Sequence, residues 1–317
     1  MKAEQVYFKK ITLFLKIILL PITFGFIFYK LIYAYRFGDL FQEIDFEWSW
    51  EAVGIILLNV LLMAINYALE TAKWHLLIKQ YEGNSYWQSL KGVLAGVALN
   101  IITPNQLGDF VGRTMFLNNF DKIRGTLTTV ISHTSQVIST IVFGLIGLLW
   151  LAPQLHIVSQ NAAQVLMIIL MVLTTLAIFG YINIGFLAKL KIAKKYTNYL
   201  DVFNRYTKRE LGILMVYSVL RYIVFLFQYL LFLTLFKVDV TLTQAIACMV
   251  SAMFTQSFLP GFILIEIGVR GASALWFFSL FTLQVSQVLL SAYAVWMINL
   301  MIPGIIGLYF ILKWKKR

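Results

Sequence analysis

Six stretches of this chain, near residues 11–35, 52–70, 126–151, 163–185, 212–236 and 284–312, are apolar over about the 20 residues that a helix needs to cross ~30 Å of hydrocarbon. In lipid the backbone must satisfy its own N–H and C=O groups, so spans of this length predict helices. The rest of the composition agrees: 60% of the 317 residues are hydrophobic, 13% are charged and the mean hydropathy is +0.81. These values predict an all-α polytopic membrane protein, a single transmembrane domain over 1–317 with no room for a sizeable soluble catalytic domain.

A formal charge of +12 would suit nucleic acid if the Lys and Arg formed a patch on a soluble module, but here they punctuate the spans. No nucleic-acid partner is expected. Cys248 is the one cysteine and lies in an apolar segment, so there is neither a disulfide framework nor a cysteine metal site. The histidines, at 75, 133 and 156, are scattered, and no Walker sequence occurs. The sequence therefore implies no metal, no cofactor and no catalytic constellation. The start, MKAEQVYFKK, precedes an apolar run without an Ala-x-Ala-like site, which predicts a retained first span.

Cation placement sets the expected orientation. With the N-terminus in the cytoplasm and six crossings, only Arg36 and Lys237 of the 26 Lys and Arg lie in outer loops. Lys16, Lys30, Arg113, Arg221 and Arg270 lie within apolar regions, and all others, Lys73, Lys79 and Lys91 among them, fall inside. Both termini are then cytoplasmic, as is the basic linker 186–211, whose interleaved apolar and basic residues suit a lipid interface.

Two further apolar regions, 92–117 and 244–281, are broken by proline and charge. Making the first a single crossing would put the basic linker outside, and its first arm, 92–103, is too short to span. It reads as a re-entrant hairpin. The second is taken as another, although its longer arms also fit two short spans. The two regions repeat one chemistry: Asn100 and Gln256 precede Pro104 and Pro260 by four residues, and Asp109 and Glu266 precede Arg113 and Arg270 by four. The offsets are 156 residues for the first two pairs and 157 for the others. With three full crossings in each half, roughly 1–151 and 163–312, the copies must be inverted, an architecture of transporters whose broken helices form a site near the midplane.

Polar stripes accompany the hairpins. Asn59, Asn66 and Glu70 share one face of the second span; Tyr217, Arg221 and Gln228 do so in its counterpart; Thr129, His133, Gln136 and Thr140 form a third line, and Gln284, Gln287 and Ser291 a fourth. Such faces line a bundle interior or a wet cavity. The charged residues have two readings, self-neutralisation at i and i+4 or bidentate arginine contacts to a phosphate. Thr103, Pro104 and Gln106 also suit the start of a half-helix whose positive end faces an anion. The expected substrate-binding residues are Asn100, Pro104, Asp109, Arg113, Arg221, Gln256, Pro260, Glu266 and Arg270, with Asn66, Glu70, His133, Gln136, Gln228 and Gln287 lining the cavity.

At Asn100, Pro104, Gly108, Asp109 and Arg113, and again at Leu259, Pro260, Gly261 and Ile267 to Arg270, the chain resembles the membrane domain of lysylphosphatidylglycerol synthases and their stand-alone, flippase-like relatives. It departs where the family usually has glutamate, at Asp109 and Gly271, and it lacks the synthase domain. The resemblance implies a flippase or scramblase of a bacterial-type plasma membrane, not an enzyme, that moves an anionic phospholipid or polyprenyl phosphate by rocking one half against the other. A homo-oligomer is compatible with the sequence. Two other classes remain open: a small-solute or ion-coupled transporter using the same cavity, and an intramembrane lipid-modifying enzyme with Asp109 or Glu266 as base.

Overall fold

The computed structural model describes residues 48–79, 84–103, 107–117, 122–154, 160–185, 201–258 and 263–314. These residues form nine α-helices and no strand: α1 Trp50–Ile78, α2 Tyr86–Ile102, α3 Leu107–Met115, α4 Lys122–Leu151, α5 Gln160–Ile182, α6 Lys208–Leu235, α7 Leu242–Ser257, α8 Ile263–Phe278 and α9 Val285–Lys313. Four of them, α1, α4, α6 and α9, are long and apolar enough to cross a membrane. Leu57, Ile168, Phe179 and Ile305 are 63% to 66% exposed, which suits lipid and not water. The expected span 11–35 lies outside the described residues.

Polar caps set several of the starts. Ser49 accepts from the Ala52 N–H at the head of α1, and reciprocal capping boxes open α2 (Ser85 with Gln88), α6 (Thr207 with Glu210) and α7 (Thr241 with Gln244). As a result α2 begins six residues before the expected 92; α1, at its other end, runs on to Ile78 instead of ending at 70. At ~1.5 Å per residue, α2 with 17 residues and α7 and α8 with 16 each reach only about 24–26 Å, and α3 is shorter still.

Glycine lets α2 and α3 lie backbone to backbone. A Cβ on Gly92 would meet Arg113, one on Gly96 would meet Asp109, and those on Gly108 and Gly112 would enter the backbone of Leu99–Asn100 and Ala95–Gly96. These pairings run antiparallel. The second pair behaves alike, with Cys248 against Phe277 and Gln256 against Ser273 across α7 and α8.

Contacts between elements are preserved when α1, α2, α3 and α4 are exchanged for α6, α7, α8 and α9. In particular, α4 packs on α7 through Gly144 and Gly147, and α9 packs on α2 through Gly304 and Gly307, both antiparallel. α1 and α6 cross at the centre of the exchange, where Asn66 meets Arg221 and Gln228 meets Asn59.

Gly112→Val should lower the thermal midpoint in detergent by the equivalent of about 1–3 kcal/mol or more, because the neighbouring backbone cannot yield. Gly212→Ala, with open space around it, should leave the midpoint unchanged or raise it slightly.

Candidate functional site

Lys73, Glu70 and Asn66 stand at helical spacing on one face of α1, and α3, α4 and α6 each aim charged or polar side chains at that face. Glu70 is 4% exposed, accepts from Arg113 Nη2 at 2.6 Å and Arg221 Nη1, and forms an ion pair with Lys73 Nζ at 3.6 Å. Arg113 also donates through Nε to Asp109 Oδ2 at 2.7 Å and stands over the Trp74 ring. Asp109 Oδ2 meets His133 Nε2 at 2.8 Å as well. Arg221 donates to Asn66 Oδ1 at 2.8 Å and Gln136 Oε1 at 3.3 Å, while Lys73 donates to the Ser132 carbonyl at 3.1 Å. The network ties α1, α3, α4 and α6 together.

Next to it, a cavity of about 370 Å³ opens near the midpoints of α1, α6 and α9. Its wall takes Asn66 and Tyr67 from α1, Asn100 from α2, Arg221 from α6, Glu266 and Arg270 from α8, and Trp296 and Asn299 from α9. Arg270 and Glu266 are four residues apart but make no ion pair, and the Arg270 guanidinium has no partner among the described residues; its Nε is buried and unsatisfied. The two i, i+4 pairs expected from sequence thus differ: Asp109–Arg113 forms, Glu266–Arg270 does not. Gln228, which stands 158 residues after Glu70, the same separation as the starts of α1 and α6, is neutral. The second half has no carboxylate where the first half uses one to hold its arginine.

Of the residues expected to bind substrate or line the cavity, Asn66, Asn100, Arg221, Glu266 and Arg270 form its wall. Glu70, Asp109, Arg113, His133 and Gln136 form the adjoining network. Gln228 instead joins Asn59 to Asn299, Gln256 donates to Ser273 within the α7–α8 pair, and Gln287 lies near the start of α9 outside the cavity wall. Pro104 and Pro260 lie outside the described residues. The start of α3 presents less free positive charge than expected, because Thr103 Oγ1 accepts from the Gly108 N–H and Asn100 Oδ1 from the Asp109 N–H.

Lys73 is the largest correction. Expected among the inner-face cations, it is fully buried in the network; its spacing of three from Glu70 was the available signal, lost when the span was ended at 70. Lys91, also expected among the inner-face loop cations, lies on α2 over the rings of Trp87 and Phe310. Tyr67, Trp296 and Asn299 were missed because their partners are remote in sequence: the Tyr67 hydroxyl donates to the Asn299 carbonyl at 2.6 Å.

Residues 13–307 match the family model described as Lysylphosphatidylglycerol synthase TM region. No curated protein and no solved structure matches the chain.

Removing one carboxylate should harm the network more than removing one cation, since Lys73, Arg113 and Arg221 already outnumber Glu70 and Asp109. Glu70→Gln is expected to cost about 3–5 kcal/mol, read as a lower thermal midpoint in detergent. Lys73→Met should cost distinctly less.

Proposed function

The chain belongs to the lysylphosphatidylglycerol synthase TM-region family, and from that membership and the cavity's chemistry we propose that it carries the head group of an anionic lipid between the leaflets of a membrane. The observation that carries the reading is the pair of arginines, Arg221 and Arg270, brought from two different helices to one mid-helix cavity with guanidinium N–H groups that no described residue engages. Arginine's planar fork suits a phosphate bidentately. The carboxylates of the neighbouring network offset most of the positive charge, which lets an empty site persist in a low-dielectric surrounding.

The topology assigned to this function is an inverted repeat in a plasma membrane with both termini cytoplasmic. α1, α4, α5, α6 and α9 are full crossings. α2–α3 enters from the cytoplasm and α7–α8 from outside. Support comes from the short lengths of all four arms, from their antiparallel pairing, and from the contacts preserved on exchanging the halves. Aromatic side chains at both ends of the bundle agree: Trp48, Trp50 and Trp150 at one, Tyr86, Trp87 and Tyr309 at the other, all exposed. With no nucleotide motif in the sequence, the drive for movement is an ion gradient, a partner or the lipid imbalance itself.

Reconstituted in vesicles, the full chain should speed the crossing of an acyl-labelled anionic phospholipid. Arg270→Gln should return that rate close to the protein-free one while leaving thermal stability intact, whereas Arg113→Gln, which breaks two buried ion pairs, should lower both. Solute-driven current without lipid crossing would replace this reading with a small-solute transporter, and a covalently altered lipid would replace it with an enzyme.

A further inference from the structure

Glu266 is a carboxylate that the fold leaves without a partner. It stands half-buried on the cavity wall, one helical turn from Arg270, and among the described residues it makes neither a hydrogen bond nor an ion pair. Glu70 and Asp109, by contrast, are held by Arg113, Arg221, Lys73 and His133. The pairing that makes those two acids structural is missing at Glu266, and an acid at this depth with no structural task marks a substrate or proton path.

Its surroundings fix which groups act on it. The cavity wall presents Tyr67 from α1, Asn100 from α2, Arg221 from α6, and Trp296 and Asn299 from α9. Tyr229 of α6 and Tyr293 of α9 stand near Arg270. α7, which packs against α8, carries Cys248 as its only titratable side chain, and that thiol lies against Phe277 at the far end of the pair. His133 faces Asp109 instead. The charged side chains of the wall are therefore Glu266, Arg221 and Arg270.

Hydrogen bonding gives Glu266 two states toward an anion. Arg221, Arg270 and Asn100 keep N–H groups that no described residue engages, so the rest of the wall donates. Ionised Glu266 only accepts, and it repels a second negative charge in the same cavity. Protonated, it donates its O–H to the anion alongside the arginines. Proton and anion thus favour each other at this site, and the coupling is reciprocal.

Resting on the lipid-transport reading above, we propose that Glu266 is a proton site, and that the cavity carries one proton on this carboxylate together with one monoanionic phosphate group on Arg221 and Arg270, both in the same direction. The proton comes from water on the loading side and returns to water on the far side as the phosphate leaves. A proton and a monoanion together move no net charge. A pH difference therefore drives the movement, and membrane voltage does not.

The test uses the full chain in phosphatidylcholine vesicles with acyl-labelled phosphatidylglycerol, chosen because a phosphodiester keeps its single charge across neutral pH. With the outside about two pH units more acidic than the inside, inward crossing should run at least about fivefold faster than with the gradient reversed, within the limit of about tenfold per pH unit for one linked proton. Nigericin should abolish the difference, and a potential set by valinomycin should leave the rate unchanged. Glu266→Gln keeps a donor in place of the acid and breaks no bond, so its thermal midpoint should match the wild type and its rate should be the same in both gradients. In detergent, dimethyl phosphate should bind the wild type up to about tenfold more weakly for each unit rise in pH, and bind Glu266→Gln equally at every pH. If the amide variant does not fold, Glu266→Asp replaces it, and an unmoved pH midpoint for dimethyl phosphate binding overturns the assignment. Wild-type crossing indifferent to the pH gradient, faster crossing toward the acidic side, or an amide variant that still responds overturns the proton site while leaving lipid transport standing. If no labelled lipid crosses in either gradient, the transport reading falls and takes the co-transport with it.

Discussion

Glu70 holds the middle of this molecule because it is a carboxylate where three cations converge. Its two oxygens receive Arg113 from the short helix α3 and Arg221 from the long helix α6, with Lys73 one turn further along its own helix. Burying any one of these charges in a bilayer costs several kcal/mol on its own. The cost is offset by pairing, so the four helices that supply the groups have a fixed mutual geometry. Asn66, Gln136, His133 and the Ser132 carbonyl fill most of the remaining hydrogen-bond positions.

The same arithmetic explains why two arginines at matching positions behave differently. Arg113 finds Asp109 and Glu70; Arg270 has Glu266 on its own helix and the neutral Gln228 where Glu70 would be. One arginine is thereby spent on holding the fold, and the other stays available at the cavity wall.

Much of this was legible in the sequence, and the parts that were not have identifiable causes. Apolar runs and their spacing located every described long helix, and the stripes on 59, 66 and 70 and on 217, 221 and 228 anticipated that α1 and α6 present polar faces. Sequence spacing also gave Asp109–Arg113, because i and i+4 is a local relation. It did not give Glu70–Arg113, 43 residues apart, and for Arg221 it offered Glu70 or Glu266 without choosing between them, where the structure brings Glu70, 151 residues away; periodicity locates a face but not what that face meets. Helix ends were misjudged where hydropathy fell before the helix did, and Lys73 was lost for that reason. The S/T-x-x-E/Q signatures at Ser85, Thr207 and Thr241 mark the true starts and were the signal to use. Gly304 and Gly307 repeat the spacing of Gly144 and Gly147, a cue for close packing of α9 visible only once the two last helices are set side by side.

Those glycines decide which parts of the molecule can travel together. Gly307 brings α9 onto the backbone of α2, and Gly147 brings α4 onto α7, so each long closing helix is seated on the broken pair of the opposite half. A rearrangement that keeps these seats cannot swing one sequence half as a unit against the other. The seats instead join α9 to α2 and α3, and α4 to α7 and α8, across the two halves.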